Sequence, residues 1–233
     1  GGKGFNQAVA SARAGAATSF VCALGDDDGG ALARTLAAGN GIALHPATSS
    51  APTGTAGIFV DGEGRNSIVI GAGANADLDA GFVSAQDELF SAAAVVLVQL
   101  ETPLDSVAAA LRAGRARGAT TILNPAPAPL LDAATTVALL ALADVLTPNE
   151  SEFAILLRTR GVEITADDVA RMDGDHLHAL CRRLLPRGTV VVTMGAAGAF
   201  VSHAEGMLHG DASAAYAMAA EQVVALDTTG AGD

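Results

Sequence analysis

Residues 227–233, Asp-Thr-Thr-Gly-Ala-Gly-Asp, have the composition of an anion-binding turn that ends in a carboxylate. If a helix begins here, the backbone N–H groups of Gly230, Ala231 and Gly232 form an anion hole that can stabilise a phosphoryl group during transfer. Asp233 would lie beside that hole, placed to accept the proton of an attacking hydroxyl. The alternative is a glycine-rich turn in which Asp233 only caps a helix.

The first four residues, Gly1, Gly2, Lys3 and Gly4, place the only lysine of the sequence between glycines. We predict that a helix begins directly after them, near Phe5. Glycines allow a ligand to approach the backbone closely, and a helix N-terminus favours negatively charged or hydroxyl-rich groups. The segment is not a P-loop, because glycine follows the lysine where Ser or Thr would stand. It predicts a ligand-binding turn, with a solvated lysine in a flexible turn as the alternative.

Four polar or glycine residues each directly follow an apolar run that is typical of a strand. They are Glu101, Asn149, Gly195 and Asp227. Because ligands of open α/β sheets bind beyond the carboxyl ends of the strands, we expect these four residues to converge on one edge of a sheet. For each residue alone, ordinary loop polarity or helix capping is the alternative.

Two further segments are weaker candidates. Asp26, Asp27 and Asp28 follow a predicted strand and could attract a cation, although a solvated turn is the simpler interpretation. Residues 71–75, Gly-Ala-Gly-Ala-Asn, match a dinucleotide-binding loop poorly, because the third glycine is missing at its required spacing.

The segments that must position these residues alternate between strand and helix patterns. Strands are predicted at 16–24, 94–100, 119–123, 143–146 and 189–194, and helices at 29–38, 104–117, 150–160 and 175–185. The run 94–100 is apolar at every position except Gln99, as expected of a parallel strand buried on both faces. The alternation predicts an α/β fold, a doubly wound and mostly parallel sheet flanked by helices.

Two local features refine this prediction. Gly114 continues the apolar face of the helix at 104–117 without a side chain, so the helix can approach the sheet closely there. Asn149 is placed to cap the helix at 150–160, and Glu152 follows three residues later, as in a capping box.

Residues 53–70 depart from the alternation. Two β-rich runs, 54–60 and 66–70, flank the turn sequence Asp-Gly-Glu-Gly at 61–64. This pattern is typical of a β-hairpin. Within an α/β chain we expect it at an edge of the sheet or as a projecting flap.

The composition excludes several classes of protein. The chain is 50% hydrophobic and 16% charged, which is not the composition of a disordered protein. No apolar run reaches the ~18 residues that a membrane helix needs. The net charge of −12 argues against binding to nucleic acid or anionic membranes. Cys22 and Cys181 form no ligand or redox spacing and no signal peptide is visible, so we expect a cytoplasmic protein with reduced, buried thiols.

Taken together, these segments resemble the ribokinase (PfkB) family of carbohydrate kinases. Residues 1–8 are similar to the family's first signature and residues 227–233 to its second, with further motifs in family order at 71–75, 99–101, 124–128, 147–152 and 193–198. The resemblance covers the whole chain. It implies a ribokinase-like fold in which 1–233 form one α/β domain with a small β lid at about 53–70, and we expect this domain to be incomplete at both ends.

The resemblance implies a phosphotransferase that moves the γ-phosphate of ATP to the primary hydroxyl of D-ribose, giving D-ribose 5-phosphate. Asp233 is implied as the catalytic base, beside the anion hole formed by Gly230, Ala231 and Gly232. The implied sugar ligands are Gly1, Gly2, Lys3, Gly4, Asn6 and Glu101. The implied ATP contacts are Asn149, Thr193, Met194, Gly195, Ala196, Ala197, Gly198 and Gly232.

The resemblance also implies metal ions and a partner. Glu152 would organise Mg²⁺ indirectly, and Asp227 and Thr229 would belong to a K⁺ site. The lid would pair two subunits into a homodimer whose ligands are a small sugar and ATP, not nucleic acid or a membrane. Phe5 stands where the family has a small residue, and it either crowds the sugar site or packs inside.

Three other functions remain open on the sequence. The first is a kinase for another small alcohol, such as a deoxyribose or a nucleoside. The second is a catalytically silent sugar-binding or regulatory protein on the same scaffold. The third, more remote, is an NAD-dependent dehydrogenase.

Overall fold

Strands and helices alternate through the computed structural model, which describes residues 2–60, 66–128, 132–206, 208 and 210–221. The helices are α1 (Lys3–Arg13), α2 (Asp28–Gly39), α3 (Ala80–Ser84), α4 (Asp87–Ala92), α5 (Leu104–Ala116), α6 (Ala133–Leu140), α7 (Glu150–Arg158), α8 (Ala166–Arg171) and α9 (Gly174–Leu184). The strands are β1 (Ser19–Gly25), β2 (Ala43–Ser49), β3 (Thr55–Val60), β4 (Asn66–Gly71), β5 (Val95–Val98), β6 (Thr120–Leu123), β7 (Val145–Leu146), β8 (Thr189–Thr193), β9 (Ala199–Ser202) and β10 (Ala215–Met218). The predicted α/β class is confirmed.

The main sheet has six strands in the order β10-β9-β8-β7-β6-β5. Strands β5 to β8 run parallel to one another, whereas β9 and β10 are antiparallel to their neighbours. Strands β1 and β2 form a separate parallel pair. A buried cluster that contains Ala23 of β1, Val96 of β5 and Ala109 of α5 joins this pair to the main sheet. The carboxyl ends of β5 to β8 therefore lie along one edge, where ligands of such sheets bind.

The larger core packs β6, β7 and β8 against the helices α5, α7 and α9. Phe153, Leu157 and Leu184 of this core have 0% of their surface exposed. Burial of a large apolar side chain contributes about 1.5–3 kcal/mol to folding. The strand ends that carry the candidate site are therefore set on a tightly packed base.

Gly114 allows α5 to lie close to the sheet, as the sequence predicts. A Cβ atom at this position would lie 2.7 Å from Cγ2 of Val96 and 3.4 Å from Cγ2 of Thr121. Real Cβ contacts are not as short as the first of these distances, so a side chain at position 114 would push the helix away from β5 and β6.

The prediction that residues 94–100 are buried on both faces is wrong. Val95, the first residue of β5, has 53% of its surface exposed. Strand β5 is the last strand of the six-stranded sheet and pairs with β6. Val96 points the other way, against α5, and is buried. The apolar run therefore marks one covered face of an outer strand.

The predicted hairpin is confirmed, with β3 and β4 paired antiparallel from Thr55↔Gly71 to Val60↔Asn66. Its large apolar side chains are exposed, by 45% to 63% of their surface: Ile58, Phe59, Ile68, Val69 and Ile70. Successive residues of a strand point to opposite faces, so apolar groups are exposed on both sides of the hairpin. A cluster of this kind marks a contact surface.

Candidate active site

The N-terminus of α1 meets the side chain of Glu101 just beyond β5. Helix α1 begins at Lys3, earlier than the start near Phe5 that the sequence suggested. The Lys3 N–H donates to Oε2 of Glu101 at 2.7 Å, and a carboxylate is favoured at the N–H groups of a helix N-terminus. Gly2 has a φ of +85°, which glycine adopts without strain. The fold therefore brings together two predicted sugar ligands that are 98 residues apart.

The next residues of α1 face two different surroundings. A Cβ at Gly4 would lie 2.8 Å from Oε1 of Gln99, so glycine lets the helix approach the residues that follow β5. The ring of Phe5 packs edge to face on Phe20, with 5.9 Å between ring centroids. Phe5 thus packs inside, in a small core with Ala8 and Ile42. Asn6, another predicted sugar ligand, lies in the first turn, where its N–H donates to the Gly2 carbonyl at 3.0 Å.

Asn149 begins α7 immediately beyond β7, in the predicted capping box. Its Oδ1 accepts from the Glu152 N–H at 2.9 Å, and Glu152 Oε2 accepts from the Asn149 N–H at 2.9 Å. Glu152 is buried, with 9% of its surface exposed. Asn149 also forms a parallel bridge with Thr193, and the Thr193 N–H donates to the Pro148 carbonyl at 2.9 Å. Asn149 therefore lies beside the turn that follows β8.

Residues 193–198, the predicted ATP contacts, form that turn. The Met194 N–H donates to the Gly198 carbonyl at 2.8 Å, which closes a loop around the short 3-10 helix Gly195–Ala197. The three residues of this helix are exposed, so a ligand can reach their backbone. Gly198 has a φ of +95°, and a Cβ there would lie 1.9 Å from the Met218 carbonyl oxygen. The chain that leaves β10 therefore crosses directly over the turn.

No role was predicted from the sequence for three side-chain amides that lie between the Lys3–Glu101 contact and Asn149. Gln7 and Asn124 are buried, and Gln99 is partly buried. Gln7 lies on α1, while Gln99 and Asn124 follow β5 and β6. All three lie inside the motifs that resemble the family, and Gln99 and Asn124 directly follow strands. These positions were the available signal in the sequence, but the contacts of the three side chains depend on the tertiary fold.

Asp27 binds the base of the hairpin. Its Oδ2 accepts from the Thr53 N–H at 2.7 Å, and its Oδ1 accepts from the Thr53 hydroxyl at 2.6 Å and from the Gly30 N–H at 2.8 Å. The Thr53 side-chain hydrogen bond, followed by those from the Gly30 and Thr53 backbones, lowers the pKa of Asp27 below its ordinary value. Asp27 thus caps α2 and ties the end of β1 to the segment that enters β3.

The predicted dinucleotide-binding loop has another place in the fold. Gly71 ends β4, and the 3-10 helix Gly73–Asp77 follows at the base of the hairpin. Gly73 has a φ of +49°, and a Cβ there would lie 2.2 Å from the Pro52 carbonyl oxygen. These glycines allow the two ends of the hairpin to approach each other closely.

Several predicted site residues lie outside the described residues: Gly1, Asp227, Thr229, Gly230, Ala231, Gly232 and Asp233. The predicted anion hole, catalytic base and K⁺ site therefore remain predictions. The described part of the chain contributes the predicted sugar corner at Lys3 and Glu101 and the predicted nucleotide corner at Asn149 and residues 193–198.

Other features of the described residues add no further site. They contain no group of three or more His, Cys, Asp or Glu side chains that could hold a metal ion. A surface cavity of about 540 Å³ lies on α3, α4 and α5, lined by Arg112 and Arg117 among others, and contains no predicted site residue. Burial raises the pKa of the Cys22 thiol to about 11 and of the Cys181 thiol to about 12, which makes both unreactive. None of the helices in this part of the chain is long and apolar enough to cross a membrane.

Comparison with known proteins gives a consistent result. The chain is 37% identical to ribokinase from Haemophilus influenzae over 100% of its own length and 70% of that protein. It superposes with a TM-score of 0.77 on ribokinase from Cryptococcus neoformans var. grubii in complex with ADP, at 28% identity, covering 100% of this chain and 72% of that one. It superposes with a TM-score of 0.70 on Arabidopsis thaliana ribokinase complexed with ribose and ATP, at 28% identity, covering 100% of this chain and 70% of that one.

The family assignment follows from a match over the whole chain. Residues 1–233 match the sequence profile of the pfkB family carbohydrate kinases. The ribokinase-like arrangement of a mostly parallel sheet with a β-hairpin agrees with that match. The chain therefore belongs to the pfkB family of carbohydrate kinases.

Proposed function

We propose that this protein transfers the γ-phosphate of ATP to the primary hydroxyl of D-ribose, producing D-ribose 5-phosphate and ADP. The observation that carries the proposal is the 2.7 Å hydrogen bond between the Lys3 N–H and Glu101. It assembles a corner of hydrogen-bonding groups at the edge of the sheet that also carries Asn149. Curated ribokinases that are 37% identical to this chain over 237 and 239 aligned residues support the same activity.

The sugar corner suits a ligand that offers only hydroxyl groups. Glu101 supplies carboxylate oxygens that accept hydrogen bonds, while Lys3 and Asn6 can donate them. The backbone at Gly2 and Gly4 lets a ligand lie close to the helix N-terminus. We propose these residues, together with Gly1, as the sugar ligands.

The chemical step needs a base and a site for negative charge. Asp233 accepts the proton of the sugar hydroxyl while the hydroxyl oxygen forms a bond to the γ-phosphorus. At the same time the bond from that phosphorus to the β,γ-bridging oxygen breaks. ADP leaves with the electron pair of that bond. The N–H groups of Gly230, Ala231 and Gly232 stabilise the charge on the phosphoryl oxygens. These assignments rest on the sequence motif.

We propose that the nucleotide corner binds ATP. Asn149, the exposed turn of residues 193–198 and Gly232 are the proposed nucleotide contacts. The turn presents backbone groups at Gly195, Ala196 and Ala197, which a nucleotide can approach without displacing large side chains.

The described residues fit an indirect role of Glu152 toward Mg²⁺. One oxygen of its buried carboxylate is held by the Asn149 N–H at 2.9 Å, so the group is fixed at the nucleotide corner. Mg²⁺ in nucleotide sites usually keeps several water ligands, through which a nearby carboxylate can act. The ion, when bound, neutralises charge on the β- and γ-phosphates. For K⁺ we propose Asp227 and Thr229, which offer oxygen ligands.

We also propose that the β3–β4 hairpin pairs two subunits into a homodimer. Phe59 and Val69 are 63% and 62% exposed, and both belong to the cluster of exposed apolar side chains on this hairpin. Pairing with a second copy would cover both of these side chains and form the lid over the sugar.

The test is ADP release by the purified protein with a panel of acceptors. We expect ATP turnover that depends on D-ribose, with 2-deoxy-D-ribose and adenosine giving lower kcat/KM. A higher kcat/KM with either competitor would overturn the choice of D-ribose. Binding of D-ribose without ADP release from any acceptor would instead indicate a sugar-binding protein without kinase activity.

A further inference from the structure

The side chains of Gln99, Gln7 and Asn124 form a continuous chain of hydrogen bonds, which we call the amide relay. Gln99 Nε2 donates to Gln7 Oε1, and Gln7 Nε2 donates to Asn124 Oδ1 at 3.2 Å. Asn124 Nδ2 then donates to the Thr147 carbonyl at 2.8 Å. Gln7 has only 7% and Asn124 only 6% of its surface exposed. The relay is thus a satisfied polar network inside the protein.

The relay runs from the sugar corner to the nucleotide corner. Gln99 precedes Glu101 by two residues, and Thr147 precedes Asn149 by two residues. Gln7 follows Lys3 by four residues, one helical turn along α1. The relay therefore contacts the elements that carry Lys3, Glu101 and Asn149, but not the turn of residues 193–198.

Backbone hydrogen bonds already hold the strand ends side by side. The Asn124 N–H donates to the Val98 carbonyl at 2.9 Å, and the Thr147 N–H donates to the Leu123 carbonyl at 3.0 Å. These bonds align β5, β6 and β7 but do not include α1. Gln7 supplies the link from α1 to the strand ends, in addition to the contact of the Lys3 N–H with Glu101.

The chemistry of the relay requires an amide at position 7. Gln7 accepts through its oxygen and donates through its nitrogen, so it satisfies Gln99 and Asn124 at the same time. A carboxylate at this position keeps the shape and the acceptor but has no hydrogen for Asn124 Oδ1. Because the position is buried, water cannot easily replace the lost donor.

We propose that Gln7 is a positioning residue for the sugar site, which holds the N-terminus of α1 in register with Glu101 and with the end of β7. This inference rests on the proposed function, because it assigns Gln7 an effect on ribose binding. It goes beyond that function in assigning a role to a side chain that is not among the proposed substrate ligands. Breaking the Gln7–Asn124 bond weakens the attachment of α1 to the strand ends, so the sugar corner is affected more than the nucleotide corner.

The test compares Gln7→Glu with Gln86→Glu. Gln86 Nε2 donates to the Phe82 carbonyl at 3.2 Å, so the control makes the same chemical change at a partly buried glutamine that is not in the relay. At pH 8 we expect Gln7→Glu to lower kcat/KM for D-ribose by about ten- to a hundredfold, the effect of losing one buried hydrogen bond. The KM for ATP should change by less than about threefold, and Gln86→Glu should leave both constants near wild type.

A pH profile separates positioning from a general loss of stability. When the carboxyl group introduced by Gln7→Glu is protonated, its O–H can donate to Asn124 and so replaces the amide, and burial raises the pH at which that proton is retained. The kcat/KM of Gln7→Glu relative to wild type should therefore increase several-fold from pH 8 to pH 5.5. For Gln86→Glu the same ratio should stay constant.

Three results would overturn the inference. They are an unchanged kcat/KM for ribose in folded Gln7→Glu, equal losses for ribose and ATP, and a ratio to wild type that does not depend on pH. If Gln7→Glu does not fold, Gln99→Glu removes the donor at the less buried end of the relay, and its kcat/KM for ribose must fall. Failure of the proposed function would be distinguished from failure of this inference, because the wild-type protein would then release no ADP with ribose.

Discussion

The core around α7 and the β3–β4 hairpin place the same kind of residue in opposite surroundings. Phe153 in the core is 0% exposed, whereas Phe59 in the hairpin is 63% exposed. The core side chains are surrounded by protein on every side, while the hairpin side chains are mostly exposed to solvent. The comparison indicates that the core side chains stabilise the fold, whereas the hairpin side chains form an exposed contact surface.

The largest expected effect on folding is that of Phe153→Ala. Removing a fully buried phenylalanine costs about 3–5 kcal/mol, because the cavity collapses only in part. Phe59→Ala should lower the free energy of unfolding by less than about 0.5 kcal/mol, since the ring is exposed. Chemical denaturation in dilute protein measures both. Equal losses for the two variants would contradict the distinction between core and hairpin.

Two glycine substitutions test the same difference between the core and the hairpin, with smaller expected effects on stability. Gly114→Ala places a methyl group 2.7 Å from Val96 Cγ2 and should cost about 1–3 kcal/mol through overpacking. In the hairpin, Gly57→Ala meets the Phe59 ring edge at 3.3 Å, and that exposed ring can move away. We expect Gly57→Ala to change the free energy of unfolding by less than about 0.5 kcal/mol. Thermal melts that show the reverse order would show that the hairpin is packed as rigidly as the core.

The next effect concerns Asp27, which ties the end of β1 to the base of the hairpin, and it appears in acid. Hydrogen bonds lower the folded-state pKa of Asp27, so its contribution to stability is complete above the unfolded value of about 3.9 and is lost as the pH falls through the lower folded value. We expect Asp27→Asn to show a shallower fall of Tm than wild type between about pH 5 and pH 2. Thr53→Val should lie between the two, because the Thr53 hydroxyl supplies the largest part of the shift. Identical slopes for all three proteins would show that the hairpin base is not held by this carboxylate.

The smallest effect on folding, with the clearest effect on assembly, is expected in the hairpin. Phe59→Ser combined with Val69→Ser should convert a dimer into a monomer, as measured by sedimentation velocity, because both side chains are exposed on the proposed contact surface. Leu32→Ser is the matched control, since Leu32 on α2 is 58% exposed but lies outside the hairpin. A wild-type monomer, or equal effects of the hairpin and control variants, would remove the proposed role of the hairpin in pairing.

The sequence predicted those parts of the fold that depend on local patterns. The capping box of Asn149 and Glu152 needs only residues three positions apart, and the hairpin needs only two β-rich runs around a turn. The close approach of α5 to the sheet at Gly114 was also predictable, because this glycine lies at helical spacing on the apolar face of the helix.

The sequence could not predict features that depend on the neighbours an element acquires in the fold. Strand β2 was missed because it contains Pro46 and small polar residues, and its pairing with β1 depends on tertiary position. The exposure of Val95 follows from the place of β5 in the sheet order, which no apolar pattern encodes. In the candidate site, the amide relay joins residues up to 117 positions apart, so no spacing in the sequence indicates it.

The central claim, phosphoryl transfer to a sugar at this edge of the sheet, is tested most directly by Asp233→Asn. The measurement pairs the rate of ribose-dependent ADP release with calorimetric binding of D-ribose to the same protein. The account predicts that kcat falls by about two to four orders of magnitude, as expected for the loss of a general base, while the Kd for D-ribose changes little. An unchanged kcat in a variant that still binds D-ribose would contradict it.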